Sequence, residues 1–236
     1  MGGAVLMVPL LLFVPPLFHQ PALTMRQVAA ISIVQVFFSA LSAVIVHWRH
    51  SFVSSKVVAW IGIPAGIAAF AGAWISARTS SLELETIFAV ISSVALLIML
   101  KPLPKSARED ESHPGSVEFS KGWAIVIAVL VGGLGGMVGA PGAFIFVPLL
   151  IYGLKIPPRI TLGSTLVIVL IGAVTGLIGK LGTHQVEWNL ALPLVLGSVV
   201  GAQFGGWLSA RTRVEVLRWG LVAIIGLSTV KIWMGI

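Results

Sequence analysis

Five stretches of this chain, Val28 to His47, Val57 to Ala77, Thr86 to Leu100, Ile160 to Gly179 and Leu190 to Ala210, contain no Asp, Glu, Lys or Arg at all. A bilayer core about 30 Å thick takes roughly 20 apolar residues per helix, and uncharged runs of this length have few other uses. With Val214 to Trp233 they read as six transmembrane helices. Only 10% of the 236 residues are charged, against about 25% in a soluble domain, so too little ionisable surface is present to keep a globule dissolved. The expected class is an all-α integral membrane protein. The chain has no Cys, which removes disulfides, thiolate metal sites and cysteine chemistry from consideration. Its net charge of +7 comes without a basic soluble module, so a nucleic-acid partner is not expected.

Two further apolar stretches fit less simply. Gly2 to Phe18 is short for a crossing, and Trp123 to Leu154, at about 48 Å if helical, is too long for one. The second holds Gly132-Gly133-Leu134-Gly135-Gly136-Met137-Val138-Gly139-Ala140-Pro141-Gly142, a run expected to break a helix into two half-helices. The alternative is two helices packed tightly through faces of small residues.

Residues 101–121 form the one long polar stretch, with eight charged residues and three prolines, and read as a solvated linker. It separates a first transmembrane repeat, 1–100, from a second, 122–236. Gly3-Ala4-Val5-Leu6-Met7-Val8-Pro9-Leu10-Leu11 matches Gly142-Ala143-Phe144-Ile145-Phe146-Val147-Pro148-Leu149-Leu150 at six of nine positions, and a Pro-Pro pair follows each. Trp74-Ile75-Ser76-Ala77-Arg78-Thr79 recurs as Trp207-Leu208-Ser209-Ala210-Arg211-Thr212. Two matches in the same order indicate an internal duplication, the architecture of many secondary transporters.

Loop charges bear on whether the repeats are parallel or inverted. If every apolar stretch crosses once, giving eight spans, seven basic residues fall on each side, Lys231 aside. If Trp123 to Leu154 enters and leaves on one side as a re-entrant hairpin, one face gathers Arg49, Lys56, Lys101, Lys105, Arg108, Lys121, Lys155, Arg159, Arg211, Arg213 and Arg218. The other keeps only Arg26, Arg78, Lys180 and Lys231, together with Glu83, Glu85 and Glu187. Eleven against four is the asymmetry that the positive-inside rule expects. The expectation is therefore about eight membrane segments in two inverted repeats, each opening on a Gly-rich hairpin, with the linker in the cytoplasm and the chain in the cytoplasmic (inner) membrane.

The Gly-rich break, the Val147-Pro148-Leu149-Leu150 after it, the Pro157-Pro158 loop and Leu162-Gly163-Ser164-Thr165 together resemble the sulfite exporter TauE/SafE family of bacterial membrane permeases. The resemblance covers most of the chain and implies transport of a small anion such as sulfite, a sulfonate or a related sulfur-containing or organic anion. The family's usual Gly-Thr-Ser stands here as Gly163-Ser164-Thr165, and Ala30-Ile31-Ser32 occupies the corresponding place in the first half. The first half opens at Met1-Gly2-Gly3, without a counterpart to Trp123 through Val138, so either the start codon lies upstream or the first hairpin is one helix. Met1 to about Ala22 lacks the basic start of a signal peptide and is expected to belong to the fold.

No acid lies in the interior of the six spans, which removes a carboxylate proton relay and disfavours a cationic solute. An anion fits better. A half-helix starting near Gly142 and Ala143 would aim its N–H groups and positive dipole end into the membrane, and Gly3 could do the same from the first repeat. Hydroxyls of Ser164, Thr165 and Ser32, beside Gly163, would add uncharged donors, although such hydroxyls also bond their own preceding turn. Gln35 and Gln203 are the strongest polar groups within spans and are further candidates for the pathway. His47-Trp48-Arg49-His50 is expected to anchor at the interface, Lys180 to snorkel to the headgroups in preference to binding substrate, and Arg78 and Arg211 to end helices. Neither a nucleophile–base pair nor a metal cluster is evident, so no cofactor and no enzyme activity are expected. The partners are a small anionic solute and the bilayer, and a homo-oligomer is compatible with the sequence. A non-transporting membrane scaffold or anchor subunit is the rival reading.

Overall fold

A computed structural model describes residues 3–19, 21–47, 53–100, 117–140, 142–211 and 214–234. Among them every regular element is helical. They are α1 (Gly3–Leu17), α2 (Met25–His47), α3 (Ser55–Ile75, with a π turn at Val58–Gly62), α4 (Ser81–Leu100) and α5 (Lys121–Met137). After these come α6 (Ala143–Pro148, continued by a π turn Leu149–Gly153), α7 (Pro158–Gly182), α8 (Trp188–Arg211) and α9 (Val214–Trp233). Four helices are long and apolar enough to cross a membrane, namely α2, α3, α4 and α7. The remaining two expected spans correspond to α8 and α9, whose side chains are described only in part. Most of the linker, 101–116, and the residues Trp48, Arg49 and His50 lie outside the described residues.

The helix starts carry their own signals. Ser80 donates from its N–H and its hydroxyl to Glu83 Oε2 (2.8 Å each), while Glu83 N–H returns a bond to Ser80 Oγ. This capping box starts α4 five residues before the expected Thr86 and places Glu83 and Glu85 in the helix's first turns. Thr24 and Gln27 make the same reciprocal pair ahead of α2.

Helix contacts depend on small residues, because apolar bulk gains little from leaving lipid. Large side chains such as Ile67, Leu97, Leu196 and Leu227 point outward, whereas Ala65, Ala69, Ala73, Ala124 and Ala128 are buried. A Cβ on Gly132 or Gly136 would collide with the carbonyls of Ala65 and Ala69, and one on Gly72 with that of Gly133. So α5 lies backbone to backbone on α3. The glycines at 132–136 do not break the helix, as their number suggested. They remain helical because that contact requires them, and the chain turns only after Met137.

The end of the molecule near the linker is marked by Lys56 Nζ donating to Val117 O (3.0 Å) and by Lys121 over the Trp60 ring. The far end is marked by Arg26 donating to Thr79 O (2.7 Å) and Gln27 to Glu187 (2.8 Å). Helix α5 runs beside α3 from the linker end to the far end. Helix α6 comes back, since Gly153 lies near Ile127 in the second turn of α5. Helix α7 then runs parallel to α3: Gly62 sits by Ile168 and Ile171, Gly179 by Ala73, and Gly182 by Trp74. Packing partners exchange in pairs. Helix α1 packs on α2 and α9 as α6 packs on α7 and α4, and α2 packs on α8 as α7 packs on α3.

Candidate functional site

The turn between α5 and α6 is built on two residues in the left-handed region, Gly139 (φ +71°) and Gly142 (φ +74°). An L side chain is strained there. At Gly139 a Cβ would also enter the backbone of Ala29 in α2, which seats the hairpin tip one turn before Ser32. Gly142 precedes Ala143, the first residue of α6, and its carbonyl accepts the N–H groups of Ile145 (2.9 Å) and Phe146 (2.7 Å). The space beside Gly142 that was expected to admit a ligand is filled in this conformation by Val131 and Phe146. Pro141 and the side chain of Ala143 lie outside the described residues.

Helices α2 and α7 cross in opposite directions. Gly176 faces Ile33, and Val36 and Ala40 pack in one cluster with Val169 and Ala173. Ser32 is fully buried and its Oγ has no hydrogen-bond partner. Gln35 donates weakly to Ser39 Oγ (3.3 Å), and its Oε1 is buried without a partner. Near the other end of α7, Ser164 Oγ accepts the N–H of Ser54 (3.0 Å), while the buried hydroxyls of Thr165 and Ser54 are unpartnered. Gly163 beside them is half-buried. The antiparallel register sets Ser32 and Thr165 about 18 Å apart along the helix axes, at roughly 1.5 Å per residue. The structure therefore gathers the expected donors into two groups, Ser32 and Gln35 near the hairpin tip, and Ser164 and Thr165 near Ser54. Gly3 opens α1 and Gln203 lies on α8, but the surroundings of both are outside the described residues.

Lys180 does not snorkel. It is completely buried, and its ammonium donates to Ser76 Oγ (2.6 Å), Gln185 Oε1 (2.9 Å) and, at 3.3 Å, to the carbonyl of Met137 at the end of α5. Ser76 Oγ–H in turn donates to Ala73 O (2.6 Å), as does Gln185 Nε2 (3.2 Å). The reason is local backbone geometry. Gly176, Gly179 and Gly182 form a glycine stripe on α7, and at Gly179 a Cβ would lie 2.9 Å from Phe70 O. Helix α7 presses so closely on α3 that the residue after Gly179 is enclosed between helices. That stripe is the signal in the sequence that Lys180 is enclosed and does not reach the headgroups. No acid is among the three groups it bonds.

Among the described residues no group of three or more His, Cys, Asp or Glu could hold a metal ion. What the arrangement offers chemically is a set of hydroxyl, amide and ammonium donors at the joint of a hairpin with two antiparallel helices. The model of a family described as "Sulfite exporter TauE/SafE" matches residues 1–232. Curated relatives include "Probable membrane transporter protein YunE" of Bacillus subtilis, 25% identical over 232 residues, covering 92% of this chain and 84% of the relative. A "Probable membrane transporter protein" of Xylella fastidiosa (strain Temecula1) is 26% identical over 235 residues, covering 98% and 85%. "Probable membrane transporter protein YdhB" of Bacillus subtilis is 27% identical over 208 residues, covering 86% and 80%. No solved structure matches the chain.

Proposed function

The chain belongs to the sulfite exporter TauE/SafE family of membrane transporters, and from that premise we propose that it carries a small anion, sulfite, a sulfonate or a related sulfur-containing or organic anion, by alternating access. The observation that carries this reading is the hairpin. Helix α5 leaves the linker end and α6 returns to it, so α7 runs parallel to α3 and not against it. That course, with the pairwise exchange of packing partners, supports two inverted repeats, 1–100 and 122–236, of about eight membrane segments. Inverted repeats give a transporter two equivalent half-pathways that open in turn.

In this scheme the hairpin tip with Gly142 and Ala143, together with Ser32 and Gln35, contacts the anion on the far-end side of the midplane. Gly163, Ser164 and Thr165 contact it on the linker-end side, with Gly3, the counterpart of Gly142 in the first repeat, and Gln203 on α8 as further contacts. The unpartnered hydroxyls of Ser32 and Thr165 support the assignment, because a buried hydroxyl without an acceptor costs about 1–3 kcal/mol that a ligand would recover. The linker, 101–121, lies in the cytoplasm and the protein in the cytoplasmic membrane.

Uptake and efflux of labelled sulfite, thiosulfate and sulfonates in proteoliposomes test the function, with Gly142→Leu as the control. Transport is expected in the wild type and lost in the variant; an anion carried equally well by both removes the hairpin tip from the mechanism. Single cysteines introduced at Lys121 and Lys155 test the topology. Labelling of the two from opposite sides of the membrane rules out inverted repeats.

A further inference from the structure

Among the described residues Lys180 is the one charged side chain that is completely buried. A cation in a membrane-spanning helix is costly and tends to mark a pathway or pair with an anion. Here the three groups it bonds are neutral: they satisfy its hydrogens, and their dipoles together with the C-terminal ends of α3, α5 and α7 offset part of its charge but supply no formal counter-charge. Clamping the ends of α3, α5 and α7 would need only a neutral donor of similar length, at a smaller desolvation cost.

We propose that Lys180, Ser76 and Gln185 form an oxyanion pocket at the far end of the hairpin, in which a small anion such as sulfite takes the place of Met137 O on the ammonium. Met137 O is the longest of the three contacts, 3.3 Å against 2.6 and 2.9 Å, and so the one exchanged at least cost. The Ser76 hydroxyl, now spent on Ala73 O, and Gln185 Nε2, now shared between Ala73 O and Thr183 Oγ1, are donors that rotation can turn toward an oxyanion. Gln185 lies half-buried just beyond α7, which gives the pocket its outer edge. Because Met137 ends α5, an anion on Lys180 releases the latch on the hairpin tip, so binding and hairpin movement are one event. This pocket rests on the anion-transport reading and deepens it by naming the group that supplies the charge.

The test is thermal unfolding of detergent-purified full-length protein, followed by tryptophan fluorescence, while sodium sulfite replaces sodium chloride at constant ionic strength. Sulfite is expected to raise the unfolding midpoint of the wild type and of Lys180→Arg. In Lys180→Gln the sulfite concentration needed for half of the effect is expected to rise at least about thirtyfold, as for a buried charge pair that loses one partner. Equal stabilisation of wild type and Lys180→Gln, or none in the wild type, overturns the pocket. Should Lys180→Gln give no folded protein, Gln185→Ala decides by the same titration, and an unchanged half-effect concentration overturns the proposal. Sulfite uptake by the same wild-type preparation separates the two ideas. Transport without Lys180-dependent stabilisation removes the pocket and keeps the transporter; stabilisation without transport does the reverse.

Discussion

The two polar clusters along α7 answer the same problem, polar atoms inside a membrane protein, in opposite ways. At the far end Lys180 brings a full charge, and every hydrogen of its ammonium meets an acceptor on another segment: Ser76 after α3, Met137 on α5 and Gln185 before α8. At the linker end Ser54, Ser164 and Thr165 bring no charge and leave two hydroxyls without partners. The charged cluster is cross-linked through the hairpin tip and therefore holds a conformation in place. The neutral cluster holds little and keeps its donors free. This contrast gives the hairpin tip a latch at the far end, where Met137 O is held by Lys180.

The largest expected effect comes from unseating the latch. Gly139→Val puts a branched side chain at φ +71° and into the backbone of Ala29. Strain and overlap together are expected to cost about 3 kcal/mol or more. Monodisperse yield on size exclusion and sulfite uptake should both collapse. A Gly139→Val protein that folds and transports normally would show that the hairpin tip does not depend on α2, and the far end would lose its claim to be the rigid one.

Next come the two serines, one in each cluster. Ser76→Ala leaves the buried Lys180 short of its nearest acceptor and is expected to cost about 2 kcal/mol, near the upper range for a hydrogen bond to a charged group. Ser164→Ala deprives the Ser54 N–H of its acceptor, a loss of about 1 kcal/mol for a neutral pair in a membrane protein. Chemical or thermal unfolding in detergent measures both. If Ser164→Ala destabilises more than Ser76→Ala, the contrast between a charged, structural end and a neutral, open end is reversed.

The sequence made one of these ends legible and hid the other for physical reasons. The hydroxyls of Ser32, Ser164 and Thr165 could be picked out because polar atoms are few in apolar runs and must go somewhere. The hairpin could be inferred because each crossing changes the parity of every later loop, so a single misplaced segment disturbs the whole distribution of Lys and Arg. The same parity argument concealed Lys180. It treats every cation as a solvated marker and has no means of seeing that the glycines at 179 and 182 draw α7 onto α3 and enclose the residue between them. A related error shortened α4. Avoiding charge set its start at Thr86, whereas Ser80 and Glu83 satisfy each other in a capping box, a spacing that the sequence displays. Nor could counting glycines locate the break, because those at 132–136 serve contact with α3 inside a helix, while those at 139 and 142 serve the turn.

The smallest effect on stability carries the sharpest question about function. Thr165→Val keeps the shape of the side chain and removes a buried hydroxyl that bonds nothing. A hydroxyl kept for structure would lower stability when lost; one kept for a ligand would not. Unfolding of Thr165→Val is therefore expected to stay within about 0.5 kcal/mol of the wild type, or to improve slightly as the desolvation cost disappears. Sulfite uptake is expected to show KM raised several-fold. Ser32→Ala, at the opposite end of the α2–α7 crossing, should behave the same way, since its Oγ is equally buried and equally free. A fall in stability with unchanged uptake would make Thr165 a packing residue and leave the linker-end cluster with no ligand to wait for. Unchanged uptake in both variants would shift the whole burden of holding the anion onto the Lys180 end, where the charge is.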